Sequence, residues 1–146
     1  MAGASIDMVD VLCELLEGEH GCMLRFLGEA EPYISGAAVE AGRLLQGMVA
    51  AAVRREGELV NSVSDLGGTP RPPAVSREHQ YLAYLSMDYL LPKLAEAKER
   101  SIARYESALQ QIGESGPAVS QALKRHLAEH RGELEAITGL VGGVRR

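Results

Sequence analysis

The sequence predicts an all-α fold: a four-helix bundle in a single domain over residues 1–146, with a long, partly helical crossover between helices 2 and 3. Three observations carry this. Apolar residues recur every three or four positions through four long stretches, which is the period of one helix face. Proline- and glycine-rich breaks separate the stretches. The composition is rich in Ala, Leu, Glu and Arg, with no Trp and one Phe, so it favours helix over pleated sheet. A chain of 146 residues buries one core rather than two.

The first stretch has apolar residues at 9, 12, 16, 23 and 26, which predicts a helix from about 6 to 30, broken by Pro32. The second carries Leu45, Val49, Ala52, Leu59, Val63 and Leu66 and stops at "LGGTPRPP", where glycine can cap a helix and proline prevents its continuation. It should occupy about 36 to 66. Residues 69 to 91 form the crossover, with a Pro-rich start followed by "SREHQYLAYLSMDYLL", a helical lead-in that kinks or restarts at Pro92. The third helix then runs to about 112 with Leu94, Ala95, Ile102, Tyr105, Leu109 and Ile112. After the turn "GESGP" the fourth begins near 117, with Val119, Leu123, Leu127, Leu134, Ile137 and Val141 on one stripe. A faint repeat relates "EGELVNSVSDLGG" (56–68) to "RGELEAITGLVGG" (131–143), as two helical hairpins of similar design would.

Charge and cysteine usage exclude several function classes. The net charge is −5, and residues 1–31 carry seven acids against one base, so no basic footprint for nucleic acid is present. No apolar run reaches the roughly 20 residues that span a bilayer, and the start "MAGASIDMVD" is acidic rather than a basic signal-peptide start. A cytoplasmic location is the expectation. Cys13 and Cys22 fall on opposite sides of one helix and cannot bridge each other. Phosphate loops, nucleophile elbows and zinc-finger spacings are absent from the sequence.

The stripes themselves hold ionisable residues. Glu19 fills the gap between Leu16 and Met23, Glu56 that between Ala52 and Leu59, Glu99 lies one turn before Ile102, and His130 falls between Leu127 and Leu134. Each helix is therefore expected to turn one Glu or His inward. A buried charge without compensation costs several kcal/mol. Two solutions are available: a cation held by oxygen and imidazole ligands, or an ion-pair network with arginines such as Arg54, Arg55, Arg100 and Arg131. Gly18 and Gly21 flank Glu19 and His20 in "EGEHG". Two glycines inside a helix cost roughly 1 kcal/mol each, and close approach of another element would account for them.

These motifs resemble the ferritin-like superfamily of ferritins, bacterioferritins and rubrerythrins. Glu19 and Phe26 match a first-helix Glu followed seven positions later by an aromatic, "ERSIARY" offers Glu99 and Tyr105 in the third helix, and "LGGTP" (66–70) matches a common second-helix ending. The resemblance spans most of 6–141 and is nearest to small bacterial members of about this length. It implies a bundle holding iron or manganese, as in a di-iron site, with oxidative-stress or iron-handling chemistry. Glu19, Glu56 and Glu99 would be carboxylate ligands and His130 the imidazole, with Glu133 or Glu129 bridging and Tyr105 orienting a ligand carboxylate. The pattern also departs from the family, whose sites use Glu-x-x-His in helices 2 and 4. Here Glu56 is followed at that spacing by Leu59, and helix 4 reverses the order as His126-x-x-Glu129 and His130-x-x-Glu133. The alternative is a metal-free bundle that self-associates or binds a partner. A homodimer is expected, because Tyr81, Leu82, Tyr84, Leu85, Tyr89 and Leu90 supply more apolar surface than a crossover needs.

Overall fold

A computed structural model describes residues 2–20, 39–70, 87–113 and 116–144. They form four helices: α1 (Ala2–His20), α2 (Val39–Asp65), α3 (Met87–Ile112) and α4 (Pro117–Val144). The architecture is the expected all-α four-helix bundle with an extended crossover between α2 and α3. The expected continuation of helix 1 to about residue 30, with Cys22 and Phe26, lies outside the described residues, as do 71–86 of the crossover.

Side-chain contacts fix the helix directions. Val9 packs at Gly68 and Glu19 meets Arg55, so α1 and α2 are antiparallel. Met8 lies beside Ile112 and Gly18 under Arg104, so α1 and α3 are antiparallel as well. Glu58 pairs with His126 and Arg55 with Glu133, which sets α4 antiparallel to α2. Two parallel pairs result, α1 with α4 and α2 with α3. Since α2 and α3 run the same way, the segment joining them must travel the length of the bundle, about 40 Å for helices of this size.

Local chemistry explains the helix ends. Gly67, at a φ of 80°, takes the left-handed conformation that closes α2, and the amide of Gly68 donates to Val63 O at 3.0 Å while that of Gly67 donates to Ser64 O at 3.0 Å. That pair of bonds satisfies carbonyls the helix leaves over. The matching Gly142–Gly143 of the sequence repeat stays helical within α4, so the two copies do not share a cap. Helix α3 starts at Met87 and continues through Pro92; the proline gives up one backbone bond without ending the helix. Pro117 opens α4, where a missing N–H costs nothing.

The apolar core occupies two levels. Leu12, Leu16, Leu59, Val63, Ile112 and Leu123 are buried together at one. Leu45, Met48, Ala52, Leu90, Leu91, Leu94 and Ile137 are buried at positions toward the other end of their helices. Each fully buried Leu or Ile contributes roughly 1.5–3 kcal/mol. Leu90, expected on a self-association surface, belongs to this chain's own core, while 81–86 lie outside the described residues. Between the two levels lie the buried polar residues, beside Leu127.

A buried ion-pair cluster at the centre of the bundle

Each helix sends at least one polar side chain to this level: Glu19 from α1, Arg55 from α2, Lys98 and Tyr105 from α3, and His126 and His130 from α4. The helical period puts them there. In α2 the buried positions 45, 48, 52, 55, 59 and 63 step by three or four and pass through Arg55. In α3 the steps from 94 to 98 to 105 pass through Lys98.

Glu19 is the hub. Its Oε1 accepts from Arg55 Nε at 3.0 Å and from the Tyr105 hydroxyl at 2.7 Å, and lies 2.7 Å from His130 Nε2. A carboxylate only accepts, so His130 carries its proton on Nε2. Its Nδ1 then accepts from Lys98 Nζ at 3.1 Å. Burial alone would raise the Glu19 pKa, but the His130 hydrogen bond, the Arg55 charge and the Tyr105 hydroxyl outweigh it and hold the group at about 2. For His130, burial lowers the pKa and the nearby Lys98 and Arg55 charges add to that, against the pull of Glu19. The ring is therefore held neutral. Burial and the Glu19 charge push the Tyr105 phenol far up, so it remains a donor.

The Arg55 guanidinium has no exposed side-chain surface and touches three carboxylates. Besides Glu19, its Nη1 donates to Glu129 Oε1 at 3.1 Å and to Glu133 Oε2 at 3.0 Å. Burial works against its charge, but Glu19 and Glu133 overcome this and raise the pKa further. Lys98 Nζ donates to Glu133 Oε1 at 2.9 Å. Nearer the surface, Arg54 Nη2 reaches both oxygens of Glu129 at 2.7 Å. Three carboxylates thus meet three basic side chains. On the far side of Tyr105, the hydroxyl oxygen lies 3.2 Å from His126 Nδ1, and His126 Nε2 lies 2.7 Å from Glu58 Oε2.

Of the residues the sequence singled out, Glu19, His130, Glu129 and Glu133 come together here, and Tyr105 does orient the Glu19 carboxylate. Glu99 does not: it is exposed, and the buried residue of that turn is Lys98. In α2 the group that enters is Arg55, one position before Glu56, which is half-buried. Both middle helices are rotated by one residue, about 100°, from the expected register. Of the arginines weighed as ion-pair partners, Arg54 and Arg55 serve, whereas Arg100 is exposed and Arg131 pairs with Glu106 at 3.7 Å on the surface. Lys98 and Glu58 were missed. The seven-residue step back from Tyr105 would have found Lys98. Gly18 accommodates a side chain: a Cβ there would lie 2.6 Å from Arg104 Nη1.

Two solved structures resemble the whole bundle. One is a ferritin-like, diiron-carboxylate protein from Bacillus anthracis str. Ames, with a TM-score of 0.78 at 17% identity over 97% of this chain and 99% of that one. The other is the bacterioferritin of Desulfovibrio desulfuricans, a diiron protein, with a TM-score of 0.79 at 12% identity over 98% of this chain and 82% of that one. No protein-family model matches the chain, and no curated protein matches it. The chain has the ferritin-like fold.

A metal at this level would need lone pairs that the cluster has already committed. Glu19 Oε1 faces three donors, both His130 nitrogens are engaged, and Arg55 stands among the carboxylates. Among the described residues no three His, Cys, Asp or Glu side chains are grouped to hold a metal ion. As arranged, these residues do not fit one. Nor is any described helix long and apolar enough to cross a membrane.

Proposed function

We propose that this chain is a ferritin-like bundle that works without a metal cofactor, as a binding protein acting through its outer surface, with a second copy of itself as the first partner to test. The observation that carries the reading is Arg55, wholly buried and bonded to Glu19, Glu129 and Glu133. Charges that a cation would have to neutralise are already neutralised by the chain's own side chains, so the core has no electrostatic need for a metal.

The competing reading is an iron or manganese centre with oxidative-stress or iron-handling chemistry. It draws support from the fold likeness to diiron proteins and from the convergence of Glu19, His130, Glu129 and Glu133. Thermal melts of the purified chain with Fe(II), Mn(II) or chelator, alongside an Fe(II) oxidation assay, separate the two. The metal-free reading expects one melting temperature in all three solutions and no oxidation beyond that of buffer. A saturable, metal-dependent rise of several degrees in the unaltered chain would end it. Light scattering should give twice the chain's 15.7 kDa; a monomer at tens of micromolar removes self-association and leaves a different protein as partner.

A further inference from the structure

We propose that the bundle opens along its α2–α4 edge: the α1–α2 and α3–α4 hairpins part there as intact units, staying joined along α1 and α3, and salt favours the open form.

The partition of the charges argues for it. Within the first hairpin Glu19 pairs with Arg55 at 3.0 Å. Within the second, Glu133 pairs with Lys98 at 2.9 Å, Lys98 donates to His130, and Tyr105 lies beside His126. Each buried cation therefore keeps a carboxylate of its own hairpin when the two separate, and no buried charge is stranded. Glu19 gives up His130 but retains Arg55 and, across the α1–α3 hinge, Tyr105.

The two edges that join the hairpins are built differently. On the α2–α4 edge the bonds are borne by long side chains: Arg54 to Glu129, Arg55 to Glu129 and Glu133, and Glu58 to His126. Of the four helix pairs in contact, this one packs over the fewest residues. The α1–α3 edge is apolar, with Met8, Leu12, Leu15 and Leu16 of α1 in one buried cluster with Ala108 and Ile112 of α3. Arg54 and Glu129 are 47% and 33% exposed, so at about 1 M salt, where the screening length is about 3 Å, their attraction fades. Apolar burial is not screened in this way. Opening uncovers Leu59 and Leu127 of the same cluster, which keeps the closed form the major one.

The test uses the whole chain with a single thiol, Cys22→Ser being present throughout. One form keeps Cys13, buried one turn beyond Val9, which packs at Gly68; its cover comes from the first hairpin itself. The other carries Cys13→Ala and Ala52→Cys, a wholly buried position between Met48 and Arg55 on the inward stripe of α2. Reaction with the neutral reagent dithiodipyridine reports transient exposure of each thiol. Raising NaCl from about 0.1 M to about 1 M should speed labelling of the thiol on α2 roughly fivefold and leave that of Cys13 unchanged. Arg54→Ala/Glu129→Ala should produce the same contrast at the lower salt. Every other pattern overturns the inference, including equal acceleration at both thiols, which reports global unfolding, and acceleration at neither, which reports an edge that stays closed. Should Ala52→Cys not fold, Met48→Cys, which shortens a neighbouring buried side chain, takes its place.

Discussion

Arg55 Nε donates to Glu19 Oε1 across 3.0 Å, with side-chain exposures of 0% and 3%. Neither group can be satisfied by water, so each depends on the other and on the helices that deliver them. Charge is divided by helix: α1 and α4 supply carboxylates and imidazoles, α2 and α3 the buried cations. The division ties all four helices to one register, because sliding any one by a turn would strand a buried charge.

Breaking that pair from one side should be costly, and breaking it from both should be less than additive. Glu19→Gln is expected to lose about 3 kcal/mol, leaving Arg55 short of a counter-charge. Arg55→Met should lose at least as much. The double variant should fall short of the sum by about 1–3 kcal/mol, the range for directly coupled residues. Urea denaturation of the four proteins measures this, and strict additivity would show that the pair is not coupled.

Acid should destabilise the bundle in two steps. His130 has a folded-state pKa below its ordinary value, so the unfolded chain binds its proton first, and stability declines as pH drops below about 6.5. Glu19, held at about 2 against an ordinary 4.5, contributes on the order of 3 kcal/mol above pH 5. That contribution is lost as pH falls from about 5 to about 2. Unfolding free energies measured between pH 8 and 3 should fall monotonically, and a Glu19→Gln chain should lose the lower step.

Tyr105 is a donor whose loss can be read by two routes. Tyr105→Phe removes the hydroxyl shared by Glu19 and His126, at an expected cost of about 1–3 kcal/mol. Because burial and the Glu19 charge push the phenol up, alkaline titration of wild type should show its phenolate only when the chain unfolds. The absorbance difference between wild type and Tyr105→Phe isolates it, and ionisation before unfolding would contradict the buried Tyr105–Glu19 bond.

Two glycines should respond to alanine with opposite signs. At Gly18 the added Cβ meets the far end of exposed Arg104, which can swing away, so the gain in helix propensity should stabilise by about 0.5–1 kcal/mol. At Gly68 it would lie 2.7 Å from Val9 Cγ1 and 3.2 Å from Val63 Cγ1, both on helix side chains with little room to move. Gly68→Ala should cost about 1–3 kcal/mol. Melting temperatures of the two variants suffice, and a destabilising Gly18→Ala would mean that Arg104 cannot yield.

The bundle was legible in the sequence because apolar period and breakers act locally: Gly67, Gly113 and Pro117 mark helix ends, whereas Pro92, read as a kink or restart, lies inside a continuous helix. Glu19 and His130 were legible for a related reason, since each sits unambiguously between buried neighbours, Leu16 on α1 and Leu127 on α4. The middle helices were not. In α2 both Arg55 and Glu56 fit between Ala52 and Leu59 within the tolerance of a 3.6-residue period, and in α3 the steps from Leu94 and to Tyr105 select Lys98 while the three-residue step to Ile102 selects Glu99. Which of two adjacent charged residues turns inward depends on the sign of the charges waiting there. That sign comes from α1 and α4, and a helix read alone does not carry it.

The adjacent pair Lys98 and Glu99 gives the sharpest test of that rotation. Glu99 is exposed, so Glu99→Gln should change stability by no more than about 0.5 kcal/mol, as surface substitutions do. Lys98 is 2% exposed and donates to both Glu133 and His130. Lys98→Met should cost about 2–3 kcal/mol, because Glu133 loses one of its two cations and the imidazole its donor. The same substitution should also raise the His130 pKa, since a repelling charge is removed, and its ring proton shifts in NMR titration would move to higher pH. If Glu99→Gln proves the destabilising change while Lys98→Met is neutral, α3 is turned by one residue from the arrangement described, and the carboxylate of Glu99 is the group that faces Glu19.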